Sequence, residues 1–195
     1  MKLPKPRFSS SVSVEEAMLK RRSIRNYKDE ALTLEEVSQI LWACQGKTAD
    51  WGGRTVPSAG ATYPLEIYLV AAKVKGLETG VYHYLSENHE LEKLNSRDVR
   101  KELTSAALEQ EYINNAPITI VIAAKYERTT KRYGERGIRY VDNEIGHCGQ
   151  NVHLQCEALG LGTVVIGAFR DEQVKKILGI KEEPRYIMPI GKKVR

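Results

Sequence analysis

The stretch Lys20-Arg21-Arg22-Ser23-Ile24-Arg25-Asn26-Tyr27 places three guanidinium groups and a hydroxyl within five positions. Just upstream, Ser13-Val14-Glu15-Glu16 is a capping box, which predicts a helix that runs into this basic segment. Arginine keeps its charge and pairs bidentately with phosphate or carboxylate, so a bound dianion would relieve the mutual repulsion of Arg21, Arg22 and Arg25. The alternative is a solvated basic face at a helix end, and spacing alone favours this alternative.

The composition indicates a soluble globular protein. Its 195 residues are 28% charged and 42% hydrophobic, with a net charge of +5. This mild basic excess permits an anionic ligand, but acidic residues are interleaved nearly everywhere, so it does not indicate a nucleic-acid groove. Three cysteines without a Cys-x-x-Cys pair, no signal-peptide pattern and no apolar run near the ~20 residues that span a bilayer predict reduced thiols, a cytoplasmic location and no membrane segment.

The chain divides into a short arm and one domain. Residues 1–12 contain Pro4 and Pro6 and are rich in Ser, which predicts an extended arm that stays loose unless it packs on a partner. Residues 13–195 have the length of a single domain with a substantial core.

Hydrophobic periodicity, capping residues and turn residues define the predicted elements. The helices are predicted from Ser13, over 33–46, from Ser96 to about Glu111, over Tyr140–Leu159 and from Asp171 to Gly179; the strands over 66–72, 81–85, 90–94, 118–124, 163–168 and 186–190; and a polar loop over 125–137. Because strands and helices are mixed without regular βαβ alternation, we predict an α+β fold with a mostly antiparallel central sheet flanked by helices.

The Tyr140–Leu159 segment is predicted to be the long buried spine helix of the domain. One stripe is apolar, with Val141, Ile145, Cys148, Val152, Cys156 and Leu159. The opposite side carries small or amide residues, among them Gly146, Gly149, Gln150 and His153, and we expect it to pack closely against a partner subunit.

A long loop over 46–64 contains Pro57-Ser58-Ala59-Gly60-Ala61. Small side chains beside exposed backbone amides let a flat or charged ligand approach the main chain, and long ordered loops tend to carry function. An ordinary surface loop is an equally good interpretation of the residues alone.

Several common sites are disfavoured by the spacing. Gly160-Leu161-Gly162 follows a helix and precedes a strand, whereas a dinucleotide fingerprint needs glycines between strand and helix. Only His153 and Cys156 are spaced for one helix face, and two ligands do not complete a zinc site. The sequence also lacks a Gly-x-Ser-x-Gly elbow and a Walker loop.

Five segments in this order resemble the nitroreductase family of flavoproteins, and most closely the branch of SagB-type dehydrogenases. They are Arg21–Tyr27, Pro57–Glu66, Tyr133–Tyr140, Glu144-Ile145-Gly146-His147 through Gln150-Asn151 into Ala158–Gly162, and Val165–Phe169. The resemblance covers nearly everything from residue 14 onward and implies an α+β nitroreductase-like fold. It also implies FMN as cofactor and an obligate homodimer with a flavin in each of two interface clefts.

The resemblance assigns expected roles to particular residues. Arg21, Arg22, Ser23 and Arg25 would bind the phosphate, ribityl chain and pyrimidine edge of FMN; Pro57, Ser58, Ala59 and Gly60 would approach it from the other subunit; Ile166 and Gly167 would lie at its N5 edge; Lys192, Lys193 and Arg195 would complete the phosphate site. The chain departs from many relatives at Ala61, where they have Asn, and at Ile166, where they have Glu. Arg132-Tyr133 stands where the azoline-oxidising members have a Lys-Tyr pair, and an Arg cannot act as a base at ordinary pH.

The function implied is an FMN-dependent oxidoreductase that uses NADH or NADPH to reduce a small nitroaromatic or quinone-type acceptor by a ping-pong hydride mechanism. The cofactor carries most of the chemistry, with Tyr133 as the expected proton donor and Trp51 and Tyr63 as expected aromatic neighbours. The alternative is a flavin-binding subunit or SagB-like dehydrogenase of a peptide-modifying complex, with little independent turnover. A nucleic-acid-binding protein without flavin is the third interpretation.

Overall fold

The structure, a computed structural model, describes residues 1–194 of the chain. The helices are α1 (Val14–Lys20), α2 (Leu34–Gln45), α3 (Arg100–Ala106), α4 (Glu127–Tyr133), α5 (Arg136–Ala158) and α6 (Asp171–Leu178). The strands are β1 (Leu32–Thr33), β2 (Leu65–Ala71), β3 (Val74–Lys75), β4 (Gly80–Leu85), β5 (Glu90–Asn95), β6 (Ile118–Ala124), β7 (Leu161–Thr163) and β8 (Glu183–Lys192).

The centre of the molecule is a six-stranded sheet in the order β5-β4-β2-β6-β8-β7, and every pair in it is antiparallel. Strand β6 lies inside the sheet, and all seven of its residues are buried because helices cover both faces. Two-residue strands β1 and β3 form a separate parallel pair. The α+β fold with a mostly antiparallel sheet is therefore confirmed.

Each face of the sheet has its own hydrophobic core. Ile67 and Ile120 point to the side where α2 and α5 pack. Tyr68 and Val121, one position along each strand, point to the side covered by α3 and α6. This alternation is the period-two pattern of strands buried on both faces.

Helix α5 is the predicted spine, and it begins at Arg136 rather than Tyr140. Its 23 residues extend about 34 Å at 1.5 Å per residue. The apolar stripe is buried as expected from Val141 to Cys156.

The small-residue side of α5 is divided, which corrects the expectation of a single partner-facing surface. Gly149 is buried in its own chain, and a Cβ there would lie 3.3 Å from the Tyr186 ring. His153 is likewise buried, whereas Gly146 and Gln150 are exposed.

Two predicted helix boundaries are wrong for local reasons. Ser96 does not cap α3; the Asp98 carboxylate accepts from the Arg100 N–H at 3.2 Å, and the helix starts at Arg100 and ends at Ala106. The predicted Asp171 cap is Arg170 in the structure, without a side-chain hydrogen bond.

Other boundaries differ where tertiary contacts decide them. The predicted polar loop over 125–137 contains helix α4 and the first turn of α5. The strand predicted over 163–168 ends at Thr163, although Ile166 forms an isolated bridge with Ile187. Strand β8 is longer than predicted because Glu183 and Pro184 continue the pairing with β6.

The N-terminal arm packs on its own chain along residues 1–7. Leu3 is buried, and its N–H donates to the His89 carbonyl at 3.1 Å beside an antiparallel Lys2–Glu90 bridge. Farther along, Phe8 is 83% exposed. Within residues 1–194, no helix has the length and apolarity required to cross a membrane.

Candidate functional site

The basic segment after α1 is extended and lies along the edge of the sheet, beside β7. The Ile24 N–H donates to the Thr163 carbonyl at 2.9 Å. The Tyr27 hydroxyl lies 2.8 Å from the Ile24 carbonyl oxygen and 3.1 Å from that of Pro189. Ile24 packs on Gly162, where any Cβ would come within 2.6 Å of the isoleucine side chain. With Ile24 anchored inward, the flanking Ser23 and Arg25 are exposed.

The three arginines of this segment have no carboxylate within 4.0 Å among residues 1–194. Arg22 donates to the Leu19 carbonyl at 3.0 Å, at the C-terminal end of α1. The Arg25 guanidinium lies 5.8 Å from the centre of the Tyr112 ring. Three neighbouring guanidinium groups that lack an internal counter-ion fit a dianionic phosphate.

Lys192 and Lys193 are placed differently. The Lys192 ammonium pairs with Glu36, and the Lys193 ammonium donates to Glu157 at 2.6 Å. Both lysines lie at the end of β8 beside the basic segment, but their charges already have partners. Arg195, the remaining member predicted for this group, lies outside the described residues.

A buried histidine lies beneath Arg21. His153 is 6% exposed, and burial together with the nearby Arg21 charge lowers its pKa to about 4. The imidazole is therefore neutral at physiological pH and does not add charge. Arg21 remains the cation that an anionic ligand would meet here.

The segment predicted to face the N5 edge of a flavin begins next to this region. Ile166 and Ile187 exchange both backbone hydrogen bonds, at 2.9 and 3.0 Å. The following Gly167 is exposed, and its N–H has no hydrogen-bond partner within the part of the chain that is described. A cavity of about 340 Å³ opens there, with Phe169 and Tyr186 among its walls.

Two residues that the sequence did not single out join this region. The Gln110 side-chain amide donates to the Ala168 carbonyl at 3.1 Å and accepts from the Tyr112 hydroxyl. Tyr112 in turn faces Arg25. The turn that follows α3 therefore connects the basic segment with the Gly167 segment.

The Pro-Ser loop, residues 57–61, is compact and strained. Residues Ala59–Ala61 form a single 3₁₀ turn, with Gly60 at φ +60° and Ala61 at +53°. The Ser58 hydroxyl accepts from the Tyr63 N–H at 2.9 Å. Positive φ at non-glycine residues is costly and is often found at ligand sites.

Arg132 and Tyr133, at the end of α4, lie directly on this loop. Arg132 donates to the Gly60 carbonyl at 3.0 Å, and the Tyr133 hydroxyl would be 2.5 Å from a Cβ at Gly60. The Tyr133 ring packs edge-on against Tyr140, with 5.2 Å between ring centres. The structure therefore unites the Pro-Ser loop with the Arg132-Tyr133 pair.

Behind the Pro-Ser loop lies a buried carboxyl group that the sequence analysis did not identify as functional. Glu144 on α5 is 2% exposed and accepts from the Gln45 side-chain amide at 3.4 Å. Burial raises the pKa of Glu144 to about 7, against the lowering effects of Ser58, Gln45 and Arg54.

Residues 18–192 match the sequence profile of the nitroreductase family. The chain belongs to the nitroreductase family. It is 51% identical over 183 residues to a Methanocaldococcus jannaschii protein named as a nitroreductase, a match that covers 94% of this chain and 92% of that protein. It is also 27% identical over 144 residues to the microcin B17-processing protein McbC of Escherichia coli, covering 70% of this chain and 52% of that one. The second match supports the predicted SagB-type branch.

Solved structures of nitroreductases have the same fold. A Ralstonia eutropha nitroreductase crystal structure superposes with a TM-score of 0.87 at 27% identity, covering 100% of this chain and 90% of that one. A nitroreductase from Desulfovibrio desulfuricans in complex with FMN gives a TM-score of 0.67 at 21% identity, covering 93% of this chain and 87% of that one. The nitroreductase-like fold and the oxidoreductase class of this chain are therefore established.

Within one chain of this nitroreductase-family protein, the two groups of site residues lie apart. The basic segment lies near His153 and Lys193, whereas the Pro-Ser loop lies near Glu144. His153 and Glu144 are nine residues apart on α5, about 14 Å along the axis. The residues predicted to bind a flavin therefore form two separate groups within one subunit.

Proposed function

We propose that this protein is an FMN-dependent oxidoreductase that uses NADH or NADPH to reduce a small nitroaromatic or quinone-type acceptor in a ping-pong reaction. The observation that carries the proposal is the row of three arginines without carboxylate partners, fixed beside β7 in a nitroreductase-family chain. The FMN complex of the Desulfovibrio relative supports the choice of cofactor.

Different residues of this chain would bind different parts of FMN. Arg21, Arg22 and Ser23 would hold the phosphate and ribityl chain, and Arg25 would face the pyrimidine edge. The Gly167 N–H has no partner among the described residues and follows a segment that Ile166 fixes to β8, so it can donate to a flat ligand at the cavity. Bound FMN would supply the two-electron chemistry, accepting a hydride from NAD(P)H and passing it to the acceptor.

A homodimer follows from the division of the site. The Pro-Ser loop and Tyr133 would reach the flavin held by the basic segment of the other subunit. Large exposed apolar side chains on the arm and α1 supply a surface for association: Phe8, Val14, Met18 and Leu19. With both halves assembled, Tyr133 would border the open face of the flavin, where its hydroxyl could donate a proton to a reduced product.

The decisive experiment compares FMN with riboflavin. We expect the purified protein to be yellow, or to bind added FMN more tightly than riboflavin, because the phosphate meets arginines. Steady-state oxidation of NADH and NADPH with a quinone and with a nitroaromatic acceptor then tests turnover. Equal affinity for the two flavins would contradict the phosphate role.

The alternative function is a flavin-binding subunit of a peptide-modifying complex. The match to McbC, a microcin-processing protein, favours it. In that case the protein would bind FMN but show no turnover of quinone or nitroaromatic acceptors with either nicotinamide cofactor.

A further inference from the structure

A relay of polar side chains connects α5 with the loop that follows α2. Arg54 donates to the Gln45 side-chain oxygen at 3.3 Å, and the Gln45 amide nitrogen donates to Glu144 at 3.4 Å. A guanidinium group can only donate and an ionised carboxylate can only accept. The two ends of the relay therefore fix the orientation of the Gln45 amide, which links the Arg54 guanidinium to the Glu144 carboxyl.

Arg54, at the start of the segment 54–63, also contacts Tyr63 at its end. Its guanidinium lies 4.4 Å from the centre of the Tyr63 ring and donates to Glu87 at 3.0 Å. Tyr63 has φ +44°, an unfavourable value for an aromatic residue. The stacked guanidinium holds the ring in place and so helps this conformation persist.

The Ser58 hydroxyl is used inside the loop. It accepts from the Tyr63 N–H at 2.9 Å. Ser58 also lies beside Glu144 and lowers the pKa of that carboxyl. Because the hydroxyl already serves these groups, the loop has its main-chain groups left to offer to a ligand.

We propose that Glu144 is a positioning residue. Its buried carboxyl, linked through Gln45 to Arg54 and lying beside Ser58, holds residues 54–63 in the conformation that presents the main chain of Pro57–Gly60 to bound flavin. The ligand in this statement rests on the proposed function, but the effect of Glu144 on the loop does not.

The hold of Glu144 on the loop depends on its charge. The groups that face the carboxyl are Gln45 from α2 and Ser58 and Arg54 from the loop, and Arg54 is the charged one among them. Burial makes ionisation of Glu144 costly for the subunit as a whole, whereas Ser58 and Arg54 lower the pKa of the carboxyl, so these two loop residues interact more strongly with its charged form. Hydrogen bonds to an ionised carboxylate are about twice as strong as those to a neutral acid, so the contacts between the loop and Glu144 are firmer above pH 7 than below it.

Amide hydrogen exchange of peptides within residues 46–64, measured on flavin-free protein, tests the proposal without any ligand. We expect Glu144→Ala and Ser58→Ala to speed exchange in this loop about tenfold, the factor for one hydrogen bond to a charged group. Glu78→Gln is the matched control, because Glu78 is an exposed carboxylate paired with Lys93 in the turn before β4, at the opposite end of that strand from Glu87. It should leave the loop unchanged.

The isosteric variant Glu144→Gln protects the test against a failure of Glu144→Ala to fold. It keeps an acceptor and loses the charge, so the ratio of loop exchange rates, Glu144→Gln over parent, should rise from pH 6 to pH 8 with a midpoint near 7. Comparing the two proteins at each pH cancels the intrinsic pH dependence of exchange. Loop exchange in Glu144→Gln equal to that of the parent across this range would overturn the proposal.

FMN affinity gives a second readout. In Glu144→Ala or Glu144→Gln the dissociation constant for FMN should rise at least fivefold at pH 8, with no change in Glu78→Gln. Parent protein that binds no FMN would refute the proposed function, and the exchange measurement would still decide the role of Glu144. Faster loop exchange with unchanged FMN affinity would overturn the part of the proposal in which the loop presents its main chain to flavin.

Discussion

Among the individual side chains, the cations at the end of the sheet are of two kinds. Lys192 and Lys193 are neutralised by Glu36 and Glu157, so they contribute to joining β8 with α2 and α5. Arg21, Arg22 and Arg25 lack such partners among residues 1–194. A ligand phosphate would therefore interact first with the arginines, and the lysines would take part only by exchanging a carboxylate for it.

Arg21→Ala should weaken FMN binding by about 1.5–3 kcal/mol, the range for a hydrogen bond to a charged group. Riboflavin binding should be nearly unchanged, because riboflavin has no phosphate. Arg25→Ala should weaken the binding of both flavins, since Arg25 lies on the Tyr112 and Gln110 side where the ring is expected. Fluorescence titration measures all four constants. Arg97→Ala, an exposed arginine paired with Glu102, is the control, and an Arg21→Ala protein with parental FMN affinity would contradict the assignment.

Tyr133→Phe should lower turnover with an acceptor whose product is protonated, such as a quinone, and leave flavin reduction by NAD(P)H nearly unchanged. The reason is the position of the hydroxyl against Gly60 at the open edge of the loop. Stopped-flow absorbance separates the two half-reactions. Parental rates in both would mean that Tyr133 only packs on Tyr140.

The candidate site residues predicted from sequence are those in short motifs with a known order. The sequence does not indicate Gln110, Tyr112 and Glu144 as candidates, because their proposed roles depend on contacts between segments that are distant along the chain. In the sequence, Glu144 looks like any other polar residue of an amphipathic helix. Its burial beside Ser58 in the structure is what distinguishes it.

At the scale of elements, the capping-box patterns predicted the starts of α1 and α2 correctly, whereas the single capping residues Ser96 and Asp171 did not mark the starts of α3 and α6. Ser13 and Thr33 accept from the backbone N–H three residues on, as their capping boxes predict. Helix α4 was not predicted because Thr129 is its one buried residue, so the segment has no apolar stripe that would indicate a helix. It is a helix because it packs against α5 and bonds to the Pro-Ser loop.

Among the buried titratable groups of helix α5, His153 and Glu144 have opposite pKa shifts, and this predicts a distinctive pH response. His153 has a pKa lowered to about 4, so its contribution to stability is present above 6.5 and is lost as pH falls toward 4. Glu144 has a pKa raised from 4.5 to about 7, so its contribution is lost as pH rises from 4.5 to 7. Each shift corresponds to roughly 3 kcal/mol at most, and in the parent the two slopes largely cancel.

Single variants should separate these slopes. As the pH falls from 7 to 4.5, the unfolding free energy of Glu144→Gln should decrease relative to the parent, because only the His153 contribution still varies with pH. Over the same fall, the unfolding free energy of His153→Gln should increase relative to the parent, because only the Glu144 contribution still varies. Urea unfolding of the flavin-free proteins at several pH values measures both. Parallel pH curves for the parent and both variants would contradict this account of the helix.

At the scale of the whole molecule, two of the glycines on α5, Gly146 and Gly149, form a matched pair for testing the dimer. Gly149→Leu should destabilise the subunit by about 1–3 kcal/mol through overpacking against Tyr186. At Gly146, nothing lies within 4 Å of an added Cβ, and Leu has the higher helix propensity. Gly146→Leu should therefore leave the subunit stable and reduce association only if this surface meets a partner.

Light scattering at micromolar concentration, with thermal unfolding in parallel, distinguishes the outcomes for the glycine pair. We expect a parent dimer whose association is weakened by Gly146→Leu without loss of subunit stability. A parent protein that is monomeric while still holding FMN would contradict the proposed division of the site between subunits.

Both edge strands of the central sheet are contacted by the first 27 residues of the chain. The arm lies along β5 through Lys2 and Leu3, and the basic segment lies along β7 through Ser23 and Ile24. Uncovered edge strands invite strands from other molecules. The segment proposed to hold the cofactor thus also covers part of the β7 edge against such pairing. Loss of flavin would leave this segment less firmly held on β7. Storage as flavin-free protein should consequently favour the slow growth of β-rich aggregates from the β7 edge.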